Sequence, residues 1–234
     1  MQRSIVRTLA CLVFCLPLLV GCSPSNTASV VPSGCGQASS PCLQGKASVE
    51  LTTTRGVVTL ELDGDAAPVT AGNFADLVKR GVYDGTVFHR VIREPVPFVV
   101  QGGDPSSNDP STLKSQYGTG SFIDSNSGQA RFIPLELSYK NEDQPRYSRV
   151  STNPSDLQQL KLSHERGALA MARSQSPDSA SAQFYIALRP LPELDGRYAV
   201  FGRVTDGMEV VDEIQQDDKL LKAKLSRGML LLSI

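Results

Sequence analysis

Residues 88–104 read Phe88-His89-Arg90-Val91-Ile92-Arg93-Glu94-Pro95-Val96-Pro97-Phe98-Val99-Val100-Gln101-Gly102-Gly103-Asp104. They form two short β-type runs, 86–92 and 97–101, joined by a proline-broken loop. The stretch places one arginine, one glutamine and an apolar cluster together, with no obvious nucleophile. The whole chain has only 2 histidines to act as bases or metal ligands. An always-charged donor beside an apolar hollow suits chemistry that needs polarisation and desolvation, without a covalent intermediate.

Upstream, Val49, Leu51 and Thr53 alternate with polar positions, Arg55-Gly56 supplies a turn, and Val57 to Leu62 is a second strand. Asp63-Gly64-Asp65 breaks it as a turn, because the spaced oxygens and terminal Glu of a calcium loop are missing. Pro68 to Arg80 is a helix: Pro68 suits its first turn, Phe74, Leu77 and Val78 share one face, and Gly81 stops it. Downstream, short β-type runs recur at 131–137, 167–172, 182–188 and 198–204. A second helix is predicted over Asp206 to Gln216 and a last strand over Met229 to Ile234, placed to close the sheet beside the first. Ser138 to Ser163 reads as an inserted polar loop with a short helical segment at 155–162. Many short strands with one early helix predict a mainly β barrel or sandwich.

The chain has 234 residues, 40% hydrophobic and 20% charged, with a formal net charge of −1. That is a soluble globular composition, and no basic stripe marks a nucleic-acid surface. Arg3 and Arg7 precede an apolar run, Leu9 to Val20, that is short and broken by Pro17, as in an export leader. Leu19-Val20-Gly21-Cys22 resembles the lipobox of bacterial lipoproteins, which implies a leader over 1–21 and acyl chains on Cys22. Those chains would hold the protein at a membrane outside the cytoplasm. An ordinary secretory signal cut near Gly21 is the simpler alternative. Residues 22–46 are rich in Ser, Pro and Gly and read as a tether of roughly 25–30 Å end to end. Cys35 and Cys42 within it are either a local disulfide or two free thiols. The folded domain is expected over 47–234, with no metal site.

Five stretches occur in one order: Phe88-His89-Arg90; Phe98 to Asp104; Gly167-Ala168-Leu169-Ala170-Met171-Ala172-Arg173; Ser181-Ala182-Gln183-Phe184-Tyr185-Ile186; and Leu194-Asp195-Gly196-Arg197-Tyr198-Ala199-Val200-Phe201-Gly202-Arg203-Val204. With Asn73-Phe74 upstream, this set resembles the cyclophilin-type peptidyl-prolyl cis-trans isomerases, from about Ala47 to the end. The resemblance implies a closed eight-stranded antiparallel β-barrel capped by two α-helices, and no cofactor. It implies that Arg90 is the catalytic arginine and that Gln101 orients it. Phe98, Val99, Tyr185, Leu194 and Tyr198 would line a proline pocket. Ala172, Arg173 and Gln183 would lie along the groove, where the backbone at 173 pairs with a proline-containing polypeptide. A monomer is expected.

Three departures from the family pattern stand out. Glu193 takes the place of a common tryptophan, which predicts weak binding of cyclosporin. Tyr198 stands where histidine is common. The span from Arg90 to Gln101 is three residues longer than usual, with Arg93-Glu94-Pro95 as the excess, so the placing of Phe98 and Val99 is at issue. His89 is tempting as a general base, yet prolyl rotation transfers no proton, and it reads as structural. His164 reads as a hydrogen bonder at a strand entry. No motif joins Glu136, Asp104 and Asp195 into an acid pair. The competing reading from another class is a proline-binding scaffold without turnover. A solute-binding lipoprotein would need larger lobes around a cleft.

Overall fold

The computed structural model describes residue 35 and residues 41–231, with side chains described to residue 226. The expected leader, the acylated Cys22, most of the tether and the last three residues lie outside the described residues. The strands are β1 (Cys42–Thr53), β2 (Gly56–Asp63), β3 (Arg90–Ile92), β4 (Val99–Gly102), β5 (Glu136–Leu137), β6 (Arg146–Tyr147), β7 (Ala168–Met171), β8 (Phe184–Ala187), β9 (Val200–Asp206) and β10 (Leu220–Leu231). The α-helices are α1 (Pro68–Lys79), α2 (Pro154–Leu157) and α3 (Met208–Glu213).

Eight strands form one antiparallel sheet in the order β10-β1-β2-β9-β7-β8-β4-β3, and β5 pairs with β6 separately. The sheet is an open, strongly curled half-barrel, which corrects the expectation of a closed barrel. The physical reason lies at its edges. β3 is three residues long before the proline-broken loop turns away. Its approach to β10 is limited to an isolated bridge, Val87 to Lys219, and a few backbone bonds beside it.

Alternation along the strands explains the core. Val49, Leu51, Leu60, Leu62, Val100, Leu169, Phe184 and Phe201 are buried together against Phe74 of α1. The Phe74 ring lies 4.9 Å from Tyr83, 5.3 Å from Phe184 and 5.2 Å from Phe201 between centroids. Helix α1 is buried from Pro68 to Val78. Its first-turn amides, which have no partner within the helix, are met from outside: Val69 N and Thr70 N donate to the Glu136 carboxylate at 3.1 and 2.8 Å. Gly72 is required by close approach, since a Cβ there would meet the Pro41 carbonyl oxygen at 2.1 Å.

Strand β1 begins at Cys42, ahead of the Ala47 start read from the sequence. Cys42 and Leu43 are buried against α1, and Cys42 is bonded to Cys35. Strand β10 likewise begins at Leu220, well before Met229, because the long β1 pairs with it from Thr53–Leu220 outward. Helix α3 is shorter than 206–216, starting after Gly207, whose φ of +81° is left-handed. The 131–137 run contracts to β5. The 138–163 insertion packs Tyr139 and Leu160 against Leu135, Leu137 and Ala199 in a small separate core, with Arg146 stacked 4.1 Å over Tyr139.

Candidate functional site

The sheet register assembles a site on the face opposite the main core. Arg90 pairs with Gln101, Gln101 with Tyr185, Tyr185 with Ala170, and Ala170 with Val200, one row across five strands. Directly opposed residues share a face, so residues scattered over 110 positions of sequence project together. The three-residue excess before Phe98 does not disturb this row. It is absorbed in the β3–β4 turn, where Arg93 Nη2 donates to Val211 O and Ile214 O at 2.9 and 2.8 Å and ties the loop to the end of α3.

Exposed Arg90 donates from Nη1 to Gln101 Oε1 at 3.1 Å, and its guanidinium lies 5.9 Å over the Phe98 ring. Gln101 Nε2 donates to Gln183 Oε1 at 3.3 Å, and Gln183 Nε2 to Gly120 O at 2.9 Å. The brace behind the arginine therefore ends on backbone. A cavity of about 370 Å³ opens beside it. Arg90 and Gln101 form one side, Phe98, Val99, Tyr185, Leu194 and Tyr198 the apolar walls, and Ala172 and Arg173 the rim. Gln183 does not line this cavity. It faces the adjoining one, with Ser174, Ser179 and Ser181. The arrangement offers a fixed cation at the mouth of an apolar hollow.

The family model of the cyclophilin type peptidyl-prolyl cis-trans isomerases matches residues 48–230. The chain belongs to that family. A Synechocystis protein named as a thylakoid lumen peptidyl-prolyl cis-trans isomerase is 38% identical over 198 residues, covering 80% of this chain and 49% of its own. The chain thus spans about half the length of that relative. Peptidyl-prolyl cis-trans isomerase-like 1 of Neurospora crassa is 34% identical over 190 residues, covering 76% of this chain and 94% of its own. Two solved structures share the fold. Cyclophilin AquaCyp293 from Hirschia baltica has a TM-score of 0.52 at 24% identity over 76% of this chain and 73% of its own. A Cryptosporidium parvum cyclophilin-type isomerase has 0.57 at 23% identity over 79% and 99%.

Within this cyclophilin-type groove, the Arg173 side chain is committed to structure. Its Nε and Nη2 donate to Arg197 O at 2.9 and 2.7 Å, and Nη1 to Ser174 O and Gln175 O at 2.8 and 3.0 Å. Its guanidinium covers the Tyr198 ring at 4.8 Å and so holds that wall upright. Glu193, exposed and outside the cavity, pairs with Arg189 at 2.8 Å. The three carboxylates read separately from sequence stay separate: Glu136 caps α1, Asp104 accepts from Gly118 N and Gly120 N, and Asp195 meets His164. That last contact is a feature sequence reasoning missed, because its partners lie far apart along the chain. Among the described residues no cluster of three or more His, Cys, Asp or Glu could hold a metal ion.

His89, next to Arg90, is half-buried, and neither ring nitrogen makes a well-formed hydrogen bond to a described residue. Burial pushes its pKa below the ordinary histidine value, by more than nearby Asp104, the Val87 backbone and Gln183 restore. A base depressed on folding contributes stability that is complete above its unfolded value, about 6.5, and lost as pH falls from there through its lower folded value. The parent therefore loses more stability between pH 7 and pH 5.5 than His89→Gln does. Urea midpoints at the two pH values check this, and equal losses in both proteins would contradict it.

Proposed function

We propose that this groove accelerates rotation about X-Pro bonds in polypeptides outside the cytoplasm, including exported or envelope proteins. The observation that carries the reading is Arg90, braced by Gln101, at the mouth of the apolar cavity. Rotation about a peptide bond costs about 18–20 kcal/mol because the nitrogen lone pair is delocalised into the carbonyl. For prolyl bonds this gives tens to hundreds of seconds. At half-twist the lone pair returns to nitrogen and accepts a hydrogen bond, which Arg90 would donate only then. A 10⁴-fold acceleration needs about 5.5 kcal/mol. One charge-assisted hydrogen bond supplies roughly 1.5–3. The remainder falls to Phe98, Val99, Tyr185, Leu194 and Tyr198, which exclude water, and to the groove along Ala172, Arg173 and Gln183, which holds one side of the bond still.

The family of this chain includes a Cryptosporidium parvum isomerase solved in the presence of the dipeptide Ala-Pro, which supports a proline-containing partner here. The extracytoplasmic setting is supported by the leader-like N-terminus, by the Cys35–Cys42 bond, and by the thylakoid lumen in the Synechocystis relative's name. Cys22 would carry the lipid. The second reading, a binding scaffold without turnover, has the lengthened loop in its favour, but the undisturbed Arg90–Gln101 register favours the enzyme. A protease-coupled proline isomerisation assay with Arg90→Ala as control separates them. A parent rate equal to the mutant's would establish the scaffold.

Cyclosporin binds this chain weakly under the same reading. Glu193→Trp tightens it by about tenfold, the effect of one largely buried aromatic contact, since the exposed pair with Arg189 that is lost is worth little. Calorimetric titration of both proteins measures the ratio, and an unchanged affinity would remove position 193 from the drug's site.

A further inference from the structure

We infer that Asp195, His164 and Tyr185 form a hydrogen-bonded chain that sets the floor and one wall of the proline pocket in register, with His164 as a positioning residue. This rests on the proposed function. Tyr185 lines the cavity, and its hydroxyl meets Nε2 of His164, a residue outside that lining, at 2.8 Å. The His164 side chain is 1% exposed, and its Nδ1 lies 2.7 Å from Asp195 Oδ1. The same carboxylate oxygen accepts the His164 backbone N–H at 2.9 Å. An acceptor at Nδ1 fixes the proton there, which leaves Nε2 to accept from the tyrosine. Both ring nitrogens of His164 and the Tyr185 hydroxyl then have a partner.

An apolar floor needs no hydroxyl, and burying one is unfavourable unless it is bonded. The hydroxyl gains meaning from what lies at the other end. Asp195 belongs to the turn that carries Leu194 and Tyr198, the opposite wall of the same cavity. That segment opens with a single 3₁₀ turn, Pro192–Leu194, and has no sheet partner through Tyr198. It is fastened by Leu191 N donating to His164 O at 2.7 Å, by Ser151 N donating to Gly196 O at 2.9 Å, by Asp195, and by Arg173. His164 thus touches both sides. Its ring lies nearly parallel to that of Tyr185, 11° between planes with centroids 5.9 Å apart, and Tyr185 meets Tyr198 edge-on at 5.9 Å. Loosening His164 lets floor and wall move independently, which changes how well a proline ring fits but leaves Arg90 and Gln101 in place.

The test uses isomerase kinetics of the full chain, with a proline tetrapeptide as substrate. His164→Leu raises KM about tenfold while kcat stays within twofold. His164→Gln, which can still donate to Asp195 and accept from Tyr185, stays within threefold of the parent KM. Tyr185→Phe raises KM less than His164→Leu, and the double variant is no worse than His164→Leu alone, because both break one series. A proton NMR signal for Nδ1–H, sheltered from exchange, is present in the parent, shifted in Tyr185→Phe and lost in Asp195→Asn. If His164→Leu does not fold, the glutamine and phenylalanine variants with the NMR signal decide. Effects that multiply in the double variant, an unchanged KM, or a loss in kcat alone would overturn the inference. Arg90→Ala in the same assay keeps the two ideas apart. A parent rate equal to that of Arg90→Ala sinks the proposed enzyme, with peptide Kd then replacing KM for the His164 series. Loss in Arg90→Ala with no effect at His164 sinks only this inference.

Discussion

Arg90→Ala lowers kcat/KM for a proline tetrapeptide about 10- to 150-fold, the kinetic equivalent of losing one charge-assisted hydrogen bond of roughly 1.5–3 kcal/mol. The loss falls on kcat more than on KM, because the bond to the amide nitrogen exists only when conjugation is broken. Fold stability hardly changes. Arg90 is exposed on the edge strand β3, and its contacts are the Gln101 side chain and the Phe98 ring. Arg90→Lys restores only part of the rate. Its ammonium keeps the charge but lacks the planar fork that can donate to Gln101 and to the substrate at once. Protease-coupled rates beside thermal melts check both statements. A fully active lysine variant would show that charge alone suffices and that the Gln101 brace is incidental.

The row that carries this chemistry was legible because strands have a period of two. Arg90, Gln101 and Tyr185 each sit next to a core residue, Val91, Val100 and Phe184 or Ile186, so the alternation assigns them to the other face. Helix α1 was legible for a similar reason, with Pro68 at its start and Gly81 just past its end. The opening of the barrel was not. Closure depends on whether two edge strands find each other along their length, which no single residue of either edge advertises. The start of β10 was hidden by Lys222 and Lys224, whose charges face solvent on an otherwise strand-like run. The tether reading failed at Cys42 and Leu43 because composition averages over a window, whereas burial against α1 is decided by two side chains. The Asp195–His164–Tyr185 series spans separations of 31 and 21 residues, so only the fold reveals it.

Asp76→Ala destabilises the domain by about 3–5 kcal/mol, the usual result of removing one partner from a buried ion pair. For a domain of this size that corresponds to a melting temperature about 6–20 °C lower. Asp76 Oδ2 accepts from Arg131 Nη1 at 2.8 Å and from Arg80 Nε at 2.7 Å. The Asp76 and Arg131 side chains are 7% and 5% exposed, whereas Arg80 reaches solvent. Arg131 also lies 4.6 Å over the Phe122 ring, and its Nε and Nη2 have no hydrogen-bond partner among the described residues. Without Asp76 its charge is left in the interior. The damage would spread toward the groove, because the same region anchors the entry to β8: Phe122 N donates to Ser181 Oγ, Asn73 Nδ2 to Ser181 O and Tyr83 Oη to Ala182 O. Gln183, the last side chain of the brace behind Arg90, comes next. The combined variant Asp76→Leu with Arg131→Met should regain most of the loss, since both charges leave the interior together. Denaturant midpoints distinguish the causes. If the double variant is as unstable as Asp76→Ala, shape and not an unpaired charge governs this part of the core.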